Sequence, residues 1–155
     1  MENQLVVFTL ANEDYGVDIS AVDGIVEMQA VTTVPQAPGF VEGVISLRGE
    51  VLPVIDLRKR FGLPAEKTTK ETRIVHIELD GTKVGMVVDA VTEVLRISEE
   101  NVEAPSPLVA PVSSGFITGI AKVDDGKGDP GRLIILLDLA KVLSSEEQSE
   151  LQTIQ

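Results

Sequence analysis

The sequence predicts an all-β protein made of two similar halves, each with a small sheet that closes into a barrel. The first observation is composition, because the 155 residues include 22 Val and 12 Ile against 10 Ala. Branched side chains of this kind favour strands over helices. The second observation is that the apolar segments are short and are separated by glycine, proline and charged residues. The third is an internal repeat, which predicts a duplicated fold.

Eight apolar or alternating segments predict the strands. A tight turn at residues 48–50 predicts a hairpin between the third and fourth segments, and a longer turn at residues 124–131 separates the last two. Ser144 and Glu147 have the spacing of a capping box and predict a C-terminal helix. The predicted strand segments, in chain order, are residues 5–10, 15–19, 40–47, 51–57, 73–79, 83–97, 116–123 and 133–139.

The two halves of the chain repeat the same order of elements. Residues 5–28, shifted by 69 positions, fall on residues 74–97. Chance similarity among valine-rich strands is the alternative, but the shared order and the matched glycines favour duplication. A sheet of about five strands usually closes into a barrel, because closure removes its unpaired edges. At this shift Gly16 matches Gly85 and Ile25 matches Val94, and at the larger shift of the later segments Asp56 matches Asp138.

Charge and composition exclude several classes of function. The formal net charge of -12 disfavours binding to nucleic acid or to an anionic membrane surface. With no cysteine, the chain has no disulfide, no thiol catalysis and no cysteine metal site, which fits a reducing cytosol. The N-terminus shows no signal peptide, and no apolar run reaches the roughly 20 residues of a membrane span.

The sequence offers few residues for catalysis. His76 is the only histidine, and it lies in a predicted strand without a nucleophile nearby, so a structural or partner-facing role is favoured over a general base. No serine lies in a Gly-x-Ser-x-Gly setting, and no glycine-rich phosphate loop is present. The acidic segment 124–129 lacks the spacing and terminal glutamate of a calcium loop. We therefore predict no metal, no cofactor and no enzymatic activity.

Residues 39–61 are the most informative segment. They predict a hairpin with a cationic tip at Arg48, and Pro53 implies an edge or a bulge because proline donates no ladder hydrogen bond. Arg48 either pairs with a carboxylate of a partner or is solvated, and physical chemistry alone favours the solvated state. The segment contains the motifs Gly-Phe-x-x-Gly, Leu-Arg-Gly and Pro-Val-Ile-Asp-Leu-Arg.

Together with three motifs elsewhere, this segment resembles the CheW family, the adaptor proteins of bacterial chemotaxis. The other motifs are Tyr-Gly-x-Asp-Ile at residues 15–19, Ile-x-Glu at 25–27 and Val-Gly-x-x-Val-Asp-x-Val at 84–91. The resemblance covers about residues 5–152. It implies two intertwined five-stranded barrels of the Src-homology-3 type, with short helical turns, and no catalysis.

The resemblance also implies the partners. The family couples the CheA histidine kinase to chemoreceptors by binding the kinase regulatory domain and the cytoplasmic hairpin tip of the receptor, a methyl-accepting chemotaxis protein. The expected location is the cytoplasm, at membrane-associated receptor arrays. Neither nucleic acid nor direct membrane insertion is expected.

Residues carry over from the family only where its motifs match. The expected kinase contacts are Val41 and Gly43, although a glycine can also serve a strand bend. Glu27 and Arg48 have opposite charges, so an internal ion pair is an alternative to partner contacts. For the aliphatic residues the alternative is plain core, with equal weight for Val91. The expected receptor-binding residues are Ile25, Glu27, Arg48, Val88, Val91 and Val94.

The implied organisation is a single CheW-like domain over residues 1–155. Residues 14–82 are expected to form the first barrel, residues 1–13 with 83–143 the second, and residues 144–155 a helical tail. Two other functions remain as alternatives. One is a small β-barrel ligand-binding or hydrolytic domain that uses His76 with the nearby carboxylates Glu78 and Asp80, and the other is an assembly protein that polymerises through barrel edges.

Overall fold

The computed structural model describes residues 2–36, 39, 41–64, 67–79, 81–103, 117–123 and 132–141. Within them, eleven strands form two sheets, accompanied by one four-residue α-helix and three 3₁₀ turns. The all-β class is therefore confirmed. The expected C-terminal helix at residues 144–155 and the acidic loop at 124–131 lie outside the described residues. Over the described ranges, no helix is long and apolar enough to span a bilayer.

The strands divide unevenly between the two sheets. The six-stranded sheet has the order β8-β1-β2-β11-β10-β9, and the five-stranded sheet has the order β3-β6-β7-β5-β4. The helix α1 (Leu57–Arg60) directly follows β5. The strands are β1 (Glu2–Leu10), β2 (Glu13–Asp18), β3 (Val22–Glu27), β4 (Val41–Leu47), β5 (Glu50–Asp56), β6 (Arg73–Leu79), β7 (Thr82–Val88), β8 (Ala90–Ser98), β9 (Val102–Glu103), β10 (Ile117–Val123) and β11 (Arg132–Leu137).

Each half of the chain contributes one hairpin to the sheet of the other half. The β1–β2 hairpin lies in the sheet of β8 to β11, and the β6–β7 hairpin lies in the sheet of β3 to β5. The joins are equivalent, because β2 runs parallel to β11 and β7 runs parallel to β5. Gly16 pairs with Leu136 at the first join, and Gly85 pairs with Val54 at the second. The two glycines are the pair matched by the sequence repeat, so the topology agrees with duplication.

The chain passes between the sheets at two places. These are the 3₁₀ turn Ile19–Ala21, between β2 and β3, and Asp89, the single residue between β7 and β8. The expected barrel boundaries at 13/14 and 82/83 instead fall within β2 and β7. Both strands stay with the hairpin that precedes the crossing, because a tight antiparallel turn keeps its two strands in one sheet.

Three apolar clusters form the core. The largest is shared between the sheets and joins Phe8 and Leu10 of β1 to Ile55, Met86 and their neighbours. Each sheet also has a cluster of its own. Strand β1 serves two clusters, since Val6, Phe8 and Leu10 face the shared cluster while Leu5 and Val7 face that of the six-stranded sheet. Burial on both faces explains why residues 5–8 of this strand form a continuous apolar run.

Three aromatic residues within the described ranges join the two sheets. The rings of Phe8 and Tyr15 stack with centroids 5.8 Å apart, and Tyr15 meets Phe61 at 5.8 Å. Phe61 follows α1 of the five-stranded sheet, whereas the other two rings belong to the six-stranded sheet. Partial burial, with a smaller contribution from Glu13, raises the pKa of Tyr15 above its usual value.

The edges of both sheets are linked. Strand β8 continues through the 3₁₀ turn Glu99–Asn101 into β9, so the first and last strands of the six-stranded sheet are consecutive in the chain. In the five-stranded sheet, Thr32 and Val44 exchange two backbone hydrogen bonds of 2.8 Å, which connect the segment after β3 to β4. Closure of each sheet into a Src-homology-3-like barrel stays a prediction.

Candidate functional site

The tip of the β4–β5 hairpin displays Arg48. The connection consists of Arg48 and Gly49, with φ of 53° and 83°. Positive φ at both central residues is the geometry of a type I′ turn, whose twist matches the two strands. The Arg48 side chain is exposed, and Glu50 beside it pairs with Lys83 at 3.2 Å. The predicted hairpin with a cationic tip is present in the structure.

The outer face of β3 presents Ile25 and Glu27. The strand has a half-buried face and an exposed face, and both residues lie on the exposed one, with Ile25 39% exposed. Within the part of the chain that the structure describes, neither Glu27 nor Arg48 forms an ion pair. Glu27 and Arg48 therefore do not form the internal ion pair that was the alternative to partner contacts.

The three valines that are expected to contact the receptor differ in burial. Val94 is 51% exposed, Val91 is half-buried against the shared cluster, and Val88 is 1% exposed within it. Val88 is therefore core in this structure, because β7 is covered on both faces. Val91 and Val94 are three residues apart on one strand, and an odd spacing sends side chains to opposite faces. Among the expected receptor-binding residues, Ile25 and Val94, which the repeat matches, are thus the two exposed aliphatic side chains.

The residues expected to contact the kinase are buried. Val41 is 9% exposed and Gly43 is also buried. Gly43 has a φ of 152°, and a Cβ there would collide with the carbonyl oxygen of Thr32 and lie 2.7 Å from Val31 Cγ1. Glycine is required at this position by the Thr32–Val44 bridge. Both residues therefore lie inside the sheet, where they shape the β4 backbone.

His76 is poorly placed for catalysis. It lies in β6 between Gly24 and Gly85, and its Nε2 is buried with no hydrogen-bond partner among the described residues. A general base, by contrast, must be able to reach the proton that it removes from a substrate. Glu78, on the same strand, is exposed, and Asp80 lies outside the described residues. No group of three or more acidic or histidine side chains in the described ranges could hold a metal ion.

A cavity of about 610 Å³ opens beside the start of α1. Its apolar lining includes Met28 and Val87, and its polar lining includes Glu42 and Asp56. Asp56 caps α1 by accepting the Arg58 backbone N–H at 2.9 Å, while burial raises the pKa of its carboxyl. Glu42 pairs with Lys59 at 2.7 Å, which raises the pKa of that lysine. The cavity is therefore a cleft with paired charges at its rim.

Arg58 and Asp89 form an ion pair with two hydrogen bonds between the side chains. Arg58 is 8% exposed, and its Nε and Nη2 donate to the two carboxylate oxygens at 2.7 and 2.6 Å. These bonds hold the pKa of Asp89 below its usual range, against the opposing effect of burial. The sequence analysis did not single out this pair. The available signal was an arginine two residues after β5 and an aspartate directly after β7, both of which are largely apolar strands.

Comparisons with known proteins agree with this architecture. Residues 4–147 match the CheW-like domain family. Relatives described as chemotaxis protein CheW include one from Treponema pallidum, 33% identical over 97% of this chain and 88% of its own length, and one from Bacillus subtilis, 34% identical over 92% and 88%. The crystal structure of the scaffolding protein TtCheW from Thermoanaerobacter tengcongensis is 41% identical, with a TM-score of 0.80 over 95% of this chain and 91% of that one. The chain therefore belongs to the CheW family, whose members are scaffold proteins of chemotaxis and not enzymes.

Proposed function

We propose that this chain couples the cytoplasmic tips of chemoreceptors to the CheA histidine kinase and is thereby recruited to membrane-associated receptor arrays. The observation that carries the proposal is similarity over nearly the whole chain to CheW proteins, including a solved scaffolding protein. A scaffold needs no reaction chemistry of its own. It holds two partners together, which raises the effective concentration of one beside the other.

The proposed receptor surface consists of Ile25, Glu27, Arg48 and Val94, which are all exposed. Aliphatic side chains flanked by charges of both signs suit an amphipathic helical tip, because the apolar pair buries area and the charges fix the orientation. Val91 and Val88 would support this surface from beneath. The proposed kinase surface is formed by β4 and the segment that Thr32 joins to it, which Val41 and Gly43 shape from inside the sheet.

We also propose that both sheets are closed barrels. The support is the pair of hydrogen bonds between Thr32 and Val44, together with the continuity of β8 and β9. The separate apolar clusters of the two sheets are consistent with two barrel interiors. Closed sheets would leave few free edges, and this would disfavour polymerisation through them.

The direct test is binding measured by calorimetry with a receptor-tip fragment and with the kinase regulatory domain, each alone and both together. We expect both to bind and the three components to form one complex. Binding of neither partner would reject the proposed function. Competition between the two partners would reject separate surfaces.

Changing Arg48 to Asp is expected to weaken binding of the receptor tip about tenfold, which corresponds to about 1.4 kcal/mol. The physical reason is that the exposed hairpin tip would present the wrong charge to the same partner. Kinase binding should change less than about twofold, since Arg48 lies outside the proposed kinase surface. Lys70→Asp is the matched control, because it makes the same charge change at an exposed loop. Equal loss of both partners in a folded Arg48→Asp protein would contradict the assignment.

Substitutions at Val94 and Val88 should distinguish a residue of the receptor surface from a residue of the core. Val94→Asp is expected to weaken receptor binding several-fold while changing the free energy of unfolding by less than about 1 kcal/mol, because the side chain is half exposed. Val88→Ala should instead lower the free energy of unfolding by about 2 kcal/mol through lost packing. Urea unfolding and calorimetry measure the two effects. An unchanged receptor affinity for Val94→Asp would remove Val94 from the receptor surface.

A further inference from the structure

Several polar contacts fix the position of the crossing from β7 to β8. Asp89 is the single residue of this crossing, and its backbone N–H donates to Thr9 O at 3.0 Å. Its carboxylate accepts both bonds from Arg58 and a third from the Ala11 backbone N–H, at 2.9 Å. The crossing is thus attached on one side to α1 and on the other to the β1–β2 hairpin.

Arg58 is itself held on the other side. Its Nη1 donates to Pro64 O at 2.7 Å, and its backbone N–H bonds to the capping carboxylate of Asp56. The guanidinium is a planar fork that engages a carboxylate through two parallel bonds, which fixes distance and angle together. Arg58 is therefore placed to fix the position of Asp89 and the direction in which the chain passes from β7 to β8.

The second crossing of the same molecule provides an internal comparison. The residue 69 positions before Asp89 is Ser20, in the 3₁₀ turn Ile19–Ala21. There, among the described residues, the Asp18 carboxylate accepts only local bonds, from Ser20 N at 2.9 Å and Ser20 Oγ at 2.8 Å, at an exposed site. By the offset that matches Asp56 to Asp138, the sequence position equivalent to Arg58 is Ala140. The same topology therefore forms at the crossing Ile19–Ala21 without a counterpart of the Arg58–Asp89 pair, which we call the arginine lock.

The crossing at Asp89 lies in the chain beside the three valines that are expected to contact the receptor. Val88 precedes Asp89, and Val91 and Val94 follow it on β8. Strand β8 lies at one end of the sheet order and pairs with β1 along its length, with a register shift between Val7 and Phe8. A change in the direction of β8 at Asp89 would displace Val94 relative to the body of the protein. Arg58, being buried, cannot contact a partner at that surface.

The geometry points to Arg58 as a positioning residue for receptor docking. Through Asp89, it holds β8, and with it Val94, in the orientation that binds the receptor. This inference rests on the proposed function, because it assigns Val94 to the receptor surface. The second crossing, at Ile19–Ala21, has no comparable role in receptor docking. Loss of the lock should thus affect receptor binding more than kinase binding.

The test compares Arg58→Lys with Ile45→Val in the full chain. Lysine keeps the charge but cannot make two parallel bonds, whereas Ile45→Val removes a methylene from the cluster of the five-stranded sheet and leaves the crossing intact. Hydrogen exchange of the free protein is measured at the amides of Asp89 and Ala11. We expect exchange at least tenfold faster in Arg58→Lys and unchanged in Ile45→Val. Unchanged exchange in Arg58→Lys would overturn the lock.

Calorimetry with a receptor-tip fragment and the kinase regulatory domain gives the second readout. Arg58→Lys should weaken receptor binding about five- to tenfold and kinase binding less than about twofold. Receptor binding at the wild-type level despite faster exchange would overturn the positioning role, while the proposed function would stand. Wild-type protein that binds no receptor fragment would overturn both. Asp89→Asn, which removes the charge at the other end of the pair, should show the same pattern and serves if Arg58→Lys fails to fold.

Discussion

Gly43→Ala is expected to lower the free energy of unfolding by about 3 kcal/mol or more. Two costs combine, because the left-handed φ of 152° strains any residue with a Cβ, and that Cβ would collide with backbone at Thr32. Backbone cannot rotate away as a flexible side chain can, so relief requires breaking the Thr32–Val44 bridge. Urea unfolding followed by circular dichroism measures the change.

Gly24→Ala is the matched control in the same sheet. A Cβ at Gly24 meets nothing within 4 Å, and its φ is not in the left-handed region. Its stability should change by less than about 0.5 kcal/mol. Similar stabilities of the two alanine variants would contradict the steric role of Gly43. A Gly43→Ala protein that retains full stability but loses kinase binding would instead make Gly43 a direct contact.

Asp89→Asn is expected to lower the free energy of unfolding by about 3 kcal/mol at pH 7. The change leaves the Arg58 guanidinium, whose side chain is 9% exposed, without its counter-charge. Removing one partner of a buried pair usually costs about 3–5 kcal/mol, and the partial exposure of Asp89 places it at the lower end. Thermal or urea unfolding across pH measures the effect. Asp23→Asn, at an exposed position on β3, is the control and should have little effect.

The pH dependence of this difference has a definite sign. The bonds from Arg58 lower the pKa of Asp89 in the folded protein below its unfolded value of about 3.9. The resulting stability is fully present above the unfolded pKa and is lost as pH falls through the folded pKa. Wild type and Asp89→Asn should therefore converge in stability below about pH 4. A constant difference down to pH 2 would mean that the carboxylate charge is not the source of the stabilisation.

Local features of the fold could be predicted from the sequence. The Arg48-Gly49 turn is specified by adjacent residues, and the repeat is visible as matched glycines. The burial of Val41 and Val88 could not be predicted in the same way. Strands such as β7 are covered on both faces, so their sequences lack the alternation that would identify an outer face. By contrast, β3 alternates, and its exposed face carries both Ile25 and Glu27.

Contacts between distant residues were harder to predict than local ones. The Arg58–Asp89 pair joins positions 31 apart, and its existence depends on which sheet each strand enters. Nothing in the local pattern distinguishes a hairpin that stays with its own half from one that joins the other half. The family resemblance implied intertwined barrels, whereas composition and periodicity alone indicated only two similar units.

The exchange of hairpins has a consequence for how the molecule can be divided. Because each sheet takes two of its strands from the opposite repeat, neither repeat carries all the strands of a sheet. A single repeat could complete the same pairings only by trading hairpins with a second copy of itself, as in a domain-swapped homodimer. In topology the present chain is thus equivalent to such a dimer joined into one polypeptide. Its two crossings differ, with the Arg58–Asp89 pair at one and a short turn at the other.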